Sequence, residues 1–194
     1  MTRLAALAIA AISFAIGANI ASATEETYTL DPVHSQPMFE VRHMGYSLQR
    51  GSFTKVSGKV TLDREAKKGS VDVTIDATSI RTIDPRLDTH VKSEDFFDVA
   101  KYPTITFKSS NLVFDGDRVV AVDGELTLHG VTKPVTLKVT DVICGDHPIN
   151  KRPMCGAEAT ATVKRSDWGM TYGIPKMVGD DVRIIIPIEA RKDQ

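Results

Sequence analysis

Apolar and polar residues alternate along much of the chain. Val71, Val73 and Ile75 are separated by Asp72 and Thr74. A period of two puts one face of a β-strand against a core and the other face in water. The same alternation recurs at residues 120–128, 135–139, 157–163 and 182–188. A parallel sheet covered on both faces would instead read as continuous apolar runs, so the pattern predicts an antiparallel sheet.

Turn sequences separate these segments where hairpins need them. They are KKG at 67–69, DGD at 115–117 and HG at 129–130. The Asp-Gly pair is the strongest hairpin signal among them. Further strands are predicted at 27–30, 38–43, 52–62 and 104–114. About eight strands joined by short turns indicate an all-β fold, either a sandwich or an up-and-down antiparallel barrel, and we favour the barrel.

One segment departs from the β pattern. Asp84 followed by Pro85 is typical of a helix N-cap and first helical residue, which predicts a helix continuing over residues 86–93. Residues 94–102 contain two adjacent phenylalanines and are expected to cross an opening of the barrel. The sequence therefore predicts a short helical insertion near residues 85–100.

The predicted interior of the barrel is lined by small side chains. A barrel of this size is either filled by side chains or able to hold one small ligand, and residue volume decides between the two. The small residues assigned to the inner face are Gly58, Ala77, Gly124, Ala157, Ala159 and Ala161. They predict an apolar channel that side chains leave open. The alternative is a flattened barrel that closes on these residues.

The N-terminal residues have the order of a signal peptide. Arg3 precedes an apolar run at 4–16, and Ala21 and Ala23 supply the small side chains that a signal peptidase needs. This order predicts a Sec-type signal peptide over residues 1–23, cleaved after Ala23, and one domain over residues 24–194. The run is short and no cysteine lies near the cleavage point. We therefore expect a periplasmic protein without a stable membrane anchor.

The two cysteines, Cys144 and Cys155, are 11 positions apart. In a chain exported to an oxidising compartment, such a pair predicts a disulfide. His147 lies between them and offers an alternative in which the three side chains bind a metal ion. A structural zinc site needs four ligands, and no fourth lies nearby in the sequence.

No catalytic or metal-binding motif is apparent. The chain lacks Gly-x-Ser-x-Gly, and none of the five histidines has a recognised metal-binding spacing. We therefore expect a binding protein, not an enzyme, with no metal and no cofactor. The alternative is a periplasmic metal-binding protein or enzyme that uses His34, His43 or His90. His129 precedes a glycine in a turn and is expected to be solvated.

Two polar side chains fall on the predicted inner face. His43 shares this face with Val41, and three roles stay open for it: a hydrogen-bonded core residue, a ligand contact or a metal ligand. Arg165 continues the parity of Val163, which places a charge at the barrel mouth. It either pairs with an aspartate and closes the rim, or contacts the polar head of a ligand.

The charge balance narrows the class of partner. The formal net charge is -1 and no basic cluster is present, so neither nucleic acid nor an anionic membrane is attracted by overall charge. The oligomeric state stays open, a homodimer included.

Short motifs spread over the whole predicted domain carry a family resemblance. They are DPVHS at 31–35, VRHMG at 41–45, GSF at 51–53, RLDTH at 86–90, FFDV at 96–99, YP at 102–103, LTLHGVTKPV at 126–135 and RSDWGM at 165–170. Together, and in this order, they resemble the YceI family of periplasmic proteins. The resemblance implies a lipocalin-like barrel whose tunnel takes a polyisoprenoid or similar long lipid, and it implies no catalytic residues.

The ligand that this resemblance implies is an isoprenoid lipid, with a quinone or a prenyl phosphate head, held for carriage, storage or sequestration. Its expected contacts lie on the inner face and at the barrel openings. They are Phe39, Val41, His43, Val73, Ile75, His90, Phe96, Phe97, Val122, Leu126, Leu137, Ala159, Ala161, Val163, Arg165, Trp168, Ile184 and Ile186.

Overall fold

The computed structural model describes residues 25–194, which form one antiparallel sheet of 11 strands. The strands are β1 Glu26–Leu30, β2 Met38–His43, β3 Ser47–Phe53, β4 Val56–Asp63, β5 Lys68–Asp76, β6 Ile80–Arg81, β7 Thr104–Asp115, β8 Arg118–Leu128, β9 Val131–Asp146, β10 Pro153–Lys164 and β11 Val178–Lys192. The helix α1 Pro85–Lys92 lies between β6 and β7. No helix in this part of the chain is long and apolar enough to cross a membrane. The predicted signal peptide at 1–23 lies outside the described residues.

The sheet closes into a barrel because β1 pairs with β4 on one side and with β11 on the other. β2 continues along the same edge of β11, where Met38 lies opposite Ile185. β1 and β2 are therefore two pieces of one barrel strand, and so are β3 and β4, and β5 and β6. Counted in this way the barrel has 8 strands, which confirms the predicted fold class.

The two ends of the barrel carry different connections. The upper end has the β2–β3 turn, α1 with residues 93–103, the β8–β9 turn and residues 165–177. The lower end has the β4–β5 and β7–β8 turns and the β9–β10 loop. Since the strands run the full height of the barrel, residues at the two ends of one strand border opposite openings.

The helix at the upper end begins as the sequence predicts. The Asp84 carboxylate accepts a hydrogen bond from the Arg86 N–H at 2.8 Å, and Pro85 occupies the first helical position. The helix ends at Lys92, where the Ser93 N–H donates to the His90 carbonyl. Residues 93–103 then lead back to β7.

Two local predictions are wrong for reasons of backbone geometry. The turn expected at 67–69 lies at 64–67, and Gly69 is part of β5, where a Cβ atom would come within 2.3 Å of the Thr61 carbonyl oxygen. In β8, Val120 is the extra residue of a β-bulge opposite β7. Val119 therefore faces the interior instead of Val120.

Asp31, which directly follows β1, links β1 to β11, the two strands whose pairing closes the barrel. Its carboxylate accepts hydrogen bonds from Arg191 on β11 and from the Val33 N–H, and its own N–H donates to the Glu189 carbonyl at 2.8 Å. Burial raises the pKa of this carboxyl. The hydrogen bonds from Val33 and His34 and the charge of Arg191 lower it by more, so the net pKa shift is downward.

Candidate ligand-binding cavity

A cavity of about 550 Å³ occupies the interior of the barrel. At the lower end it reaches Arg64, Cys144 and Cys155, and at the upper end it reaches His90 and Tyr172. This volume lies within the usual range of small-molecule sites, about 300 to 1,000 Å³. Because it runs from one set of connections to the other, the cavity is a tunnel and suits an elongated ligand.

The walls follow directly from the strand alternation. Val73 and Ile75 on β5, and Val122 and Leu126 on β8, point into the tunnel while the residues between them point outward. No Asp or Glu of residues 25–194 borders the cavity. The interior is thus an apolar space in which any unpaired negative charge would have to come from a ligand.

The structure brings most of the predicted contact residues to this one cavity. All of them border it except Ala161 and Trp168. Ala161 shares the inward parity of Ala159 but packs against the core. Trp168 is only 2% exposed, and its indole N–H donates to the Leu126 carbonyl at 3.3 Å. Trp168 is therefore part of the packed core behind the tunnel wall and does not border the tunnel.

The small residues open the tunnel less than their number suggests. Ala157 and Ala159 border the cavity, but Gly58, Gly124 and Ala77 do not. A Cβ atom on Gly124 would lie 2.5 Å from the Phe107 ring. This glycine therefore makes room for an aromatic ring instead of leaving a void.

Two aromatic clusters narrow the upper end. Phe97 packs edge-on against Phe53 with ring centroids 5.5 Å apart, and lies 5.9 Å from Phe39. His90, Phe96 and Tyr172 form the second cluster, with all three centroid distances between 5.0 and 5.4 Å. All these rings border the cavity, and His90, Phe96 and Phe97 bring α1 and residues 93–103 over the tunnel as part of an aromatic cover.

The second cluster has a polar edge. Nε2 of His90 lies 3.0 Å from the Asp95 carboxylate, which orients the imidazole ring against Phe96. Both partners of this pair are about 40% exposed, at 42% and 41%. A contact of this exposure is weak in energy and serves chiefly to position the ring.

Arg165 does not form the ion pair with an aspartate that is one of the two arrangements expected for it. The side chain is 4% exposed and donates to the backbone carbonyls of Met170, Tyr172, Val178 and Gly179 at 2.6 to 3.0 Å. No carboxylate among the described residues lies within 4.0 Å of it. Its guanidinium thus fixes the connection between β10 and β11 and borders the tunnel as well.

The charge of Arg165 is held in an unfavourable environment. Burial lowers the pKa of its guanidinium, and the nearby Asp180 carboxylate opposes this change. Asp180 itself accepts hydrogen bonds from the backbone and hydroxyl of Ser166, both at 2.9 Å. The guanidinium also lies 5.7 Å from the centre of the Phe96 ring.

Among residues 25–194, His34, His43 and His90 are not brought together in one metal-binding group. His43 is partly exposed and borders the tunnel mouth, so it is not a core residue. Among residues 25–194, the one group with metal-binding spacing is Asp31, His34 and Glu189, and it includes neither His43 nor His90. The Asp31 carboxylate is already paired with Arg191, a cation that competes with any metal ion.

The prediction of a solvated His129 is wrong. Its ring packs against Tyr102 with centroids 4.5 Å apart, and Nδ1 lies 3.1 Å from the Trp168 carbonyl oxygen. Nε2 is buried without a hydrogen-bond partner among the described residues. The turn at His129 and Gly130 is confirmed; Gly130 is exposed, whereas the His129 ring packs back against Tyr102.

The lower end is closed by the cysteine pair. Cys144 and Cys155 form a disulfide, which confirms the sequence prediction. His147 does not join them, since its Nδ1 accepts hydrogen bonds from the backbone of Ile149 and Asn150. Arg64 lies across the disulfide, with Nη2 3.1 Å from the Cys144 sulfur.

Sequence reasoning missed several residues that border the cavity. Arg64 lies in a turn, and Leu87 and Val91 lie on one face of a helix, where a strand pattern gives no signal. The spacing of four between Leu87 and Val91 would have identified an inward helical face. Tyr172 lies in an irregular connection, and nothing in its sequence neighbourhood indicates that it meets His90.

Comparisons with known proteins agree on one family. The YceI-like domain model matches residues 28–190. Protein YceI of Escherichia coli O157:H7 is 34% identical over 186 residues, which cover 94% of each chain. A UPF0312 protein of Pseudomonas aeruginosa (strain LESB58) is 34% identical over 189 residues, covering 96% of this chain and 95% of that protein.

Solved structures share the fold. BcnA of Burkholderia cenocepacia superposes with a TM-score of 0.68 at 26% identity, over 82% of this chain and 98% of that one. A polyisoprenoid binding domain from Saccharophagus degradans has a TM-score of 0.64 at 18% identity, over 86% and 98% of the two chains. At that identity the second likeness concerns the fold alone.

Proposed function

The chain belongs to the YceI-like family, and from that premise we propose that it holds one long isoprenoid lipid inside its barrel. The observation that carries this proposal is the tunnel of about 550 Å³, which runs the length of the barrel and is lined almost throughout by apolar side chains. Burial of a prenyl chain there would remove about 0.8 kcal/mol of unfavourable hydration per methylene. The role is binding and release, for carriage, storage or sequestration, without a chemical step.

The shape of the tunnel favours a chain over a compact ligand. Its walls are mostly Val, Ile and Leu from eight strands, and most of the aromatic rings lie towards the covered upper end. Long flexible chains fill such a space without demanding specific polar contacts. The structural neighbour from Saccharophagus degradans is described as a polyisoprenoid binding domain, which supports the same class of ligand here.

We place the polar head of the lipid at the upper end. His43, His90, Tyr172 and Arg165 border the tunnel there, whereas no carboxylate borders it anywhere among the described residues. The positive charge of Arg165 disfavours a cationic head and favours an oxygen acceptor. Most of its N–H groups are already bonded to backbone carbonyls, so a quinone oxygen matches the site better than a phosphate.

The compartment that we propose is the periplasm. Residues 1–23 have the order of a signal peptide, and the disulfide between Cys144 and Cys155 suits an oxidising space. Intact mass of the protein from a periplasmic fraction tests this directly. A mature chain that begins at Thr24 is the expected result, and a chain found only in the cytoplasm with residues 1–23 attached would contradict it.

The decisive test of function is the identity of the bound molecule. Protein purified from its native host is extracted with organic solvent, and the extract is analysed by mass spectrometry. We expect one isoprenoid per barrel. Delipidated protein is then titrated with a prenyl quinone and a prenyl phosphate of equal chain length, and the quinone should bind more tightly. A barrel that is empty as purified and also refuses both added lipids would refute the proposal.

A further inference from the structure

Exposed apolar side chains surround one side of the upper opening. They are Met44, Tyr46, Leu48, Ile83, Leu87 and Met177, and we call this set the apolar collar. Tyr46 is 90% exposed and Ile83 is 82% exposed, values unusual for large side chains that have no partner to cover them. The collar spans neighbouring elements, because the Met44 N–H donates to the Met177 carbonyl at 2.8 Å.

The collar is continuous with the tunnel. Leu87 and Met177 are both exposed to solvent and border the cavity, so they link the outer surface to the interior. The exposed apolar residues of the lower end, Ile143 and Ile149, do not border the cavity. An apolar path from surface to tunnel therefore exists on the collar side.

Two cations flank the collar. Arg42 lies beside the β2–β3 turn and Lys176 precedes Met177, and both are exposed. Neither forms an ion pair among residues 25–194, whereas Asp84 and Asp95 at the same end are paired with Arg86 and His90. Of the Asp, Glu, Lys and Arg residues within two positions of a collar residue, Arg42 and Lys176 are the two without an ion pair among residues 25–194. Both are positive, which complements the negative surface of an anionic membrane, whereas unpaired acids of the same end, such as Glu94 and Asp167, lie outside the collar.

The turn itself presents its apolar groups outward. Met44 and Gly45 have φ values of 48° and 76°, as in a tight hairpin turn whose central residues are usually Asn and Gly. Val41 and His43 point into the tunnel, so Arg42 and Met44 point away from it. The turn thus carries a methionine, a tyrosine and a nearby cation at its tip, a composition suited to the water–lipid boundary.

We propose that the apolar collar docks onto an anionic lipid bilayer and lets the ligand pass between the membrane and the tunnel. Met44 and Tyr46 enter the headgroup region, while Arg42 and Lys176 contact lipid phosphates. The prenyl chain then moves along the path formed by Leu87 and Met177 without crossing water. This inference rests on the proposed function for its ligand, but docking itself is measured without any isoprenoid.

The test is flotation of the purified exported protein with vesicles, either of pure phosphatidylcholine or with added phosphatidylglycerol. We expect stronger binding to the anionic vesicles. Met44→Asn with Tyr46→Ser should reduce binding about tenfold, since two apolar side chains no longer enter the lipid. Asn suits the positive φ at position 44, which keeps the turn intact.

Arg42→Gln with Lys176→Gln should reduce binding to the anionic vesicles by about tenfold and leave binding to pure phosphatidylcholine vesicles unaffected.

The lower end supplies a matched control. Ile143→Ser with Ile149→Ser removes two apolar groups that are 74% and 87% exposed, flanked by Lys151 and Arg152, far from the collar. This variant should float like the unaltered protein. If the collar and control variants lose binding equally, or if the unaltered protein floats with neither vesicle, the docking proposal is overturned. Collar-dependent self-association in sedimentation, without flotation, would also overturn it and assign the surface to a second copy of the chain.

Isoprenoid binding from detergent micelles separates the two proposals. A collar variant that binds prenyl quinone from micelles normally but takes it up slowly from vesicles supports docking. Flotation that depends on the collar, in a protein that binds no isoprenoid, supports docking and refutes the proposed function. Normal micelle binding together with collar-independent uptake from vesicles refutes docking alone.

Discussion

Cys144 and Cys155 lie directly opposite each other on β9 and β10, with Cα atoms 4.1 Å apart, and their disulfide borders the lower end of the tunnel. Arg64 covers the pair from the β4–β5 turn. The bond therefore ties the β9–β10 hairpin two residue pairs before its ladder ends at Asp146 and Pro153 and the loop at 147–152 begins. It stabilises one end of the cavity without occupying its centre.

Removal of this disulfide should lower stability more than binding. A closed loop of this length is worth about 2 to 3 kcal/mol in the chain-entropy model. For a domain of this size that corresponds to a fall in Tm of about 5 to 10 °C. The measurement is thermal unfolding by circular dichroism of Cys144→Ala with Cys155→Ala, beside isoprenoid titration. An unchanged Tm, or complete loss of binding in the folded variant, would contradict this role.

Substitution of Arg165 should destabilise the protein. Lysine cannot reach four backbone carbonyls at once, because it lacks the planar fork of the guanidinium. Buried carbonyls left without a donor cost about 1 to 3 kcal/mol each, so Arg165→Lys should lower the free energy of unfolding by about 3 kcal/mol. Chemical denaturation measures this value.

The neighbouring residue provides the control for that experiment. Lys164 is exposed and pairs with Asp181 on the surface at 3.0 Å. Lys164→Gln should change stability by less than about 1 kcal/mol. Equal effects of the two substitutions would show that the carbonyl contacts of Arg165 are not what holds the β10–β11 connection.

Asp31 should make stability depend on pH. Its folded pKa lies below the ordinary value of 3.8. The stabilisation is therefore fully present above that value and is lost as the pH falls through the folded pKa. Asp31→Asn should lower Tm at pH 7, and the difference from the unaltered protein should disappear at low pH. Asp117→Asn, at an exposed turn position, is the control and should show little difference at either pH.

The barrel could be predicted because the sequence signals for its strands, turns and helix each span only a few neighbouring residues. The strand predicted at 38–43 has those bounds as β2, and the helix follows its Asp84 cap and Pro85. Period-two alternation and turn residues act over a few positions, so a single sequence reveals them. The bulge at Val120 escaped because it depends on how β8 aligns with its partner strand, a relationship that is not written in either strand alone.

The chemistry of the openings was harder to predict. Arg165 was correctly placed at the tunnel mouth, but its partners are backbone carbonyls 5 to 14 residues away, which no side-chain pattern marks. The small inward residues indicated a cavity, yet Gly124 is covered by Phe107. The sizes of the side chains on one strand do not reveal whether an aromatic ring of the neighbouring strand fills the space beside a small residue. Non-local packing therefore decides which residues face the ligand.

A substitution that fills the tunnel should abolish binding without unfolding the barrel. Ala159 is 2% exposed and borders the cavity at the middle of β10. Ala159→Phe would place a ring where the lipid chain lies. At about 0.8 kcal/mol per methylene, displacement of one five-carbon unit should weaken binding at least about a hundredfold. Overpacking itself should cost no more than about 1 to 3 kcal/mol of stability, because the ring can enter the open tunnel.

Thr162→Phe on the same strand separates a filled tunnel from a damaged strand. Thr162 is exposed and points away from the cavity, opposite Arg183 on β11. Its phenylalanine variant introduces the same ring and should bind prenyl quinone as the unaltered protein does. Both variants are checked for folding by circular dichroism before titration. If folded Ala159→Phe bound the lipid with unchanged affinity, the proposal that the lipid chain lies against β10 inside the barrel would be refuted.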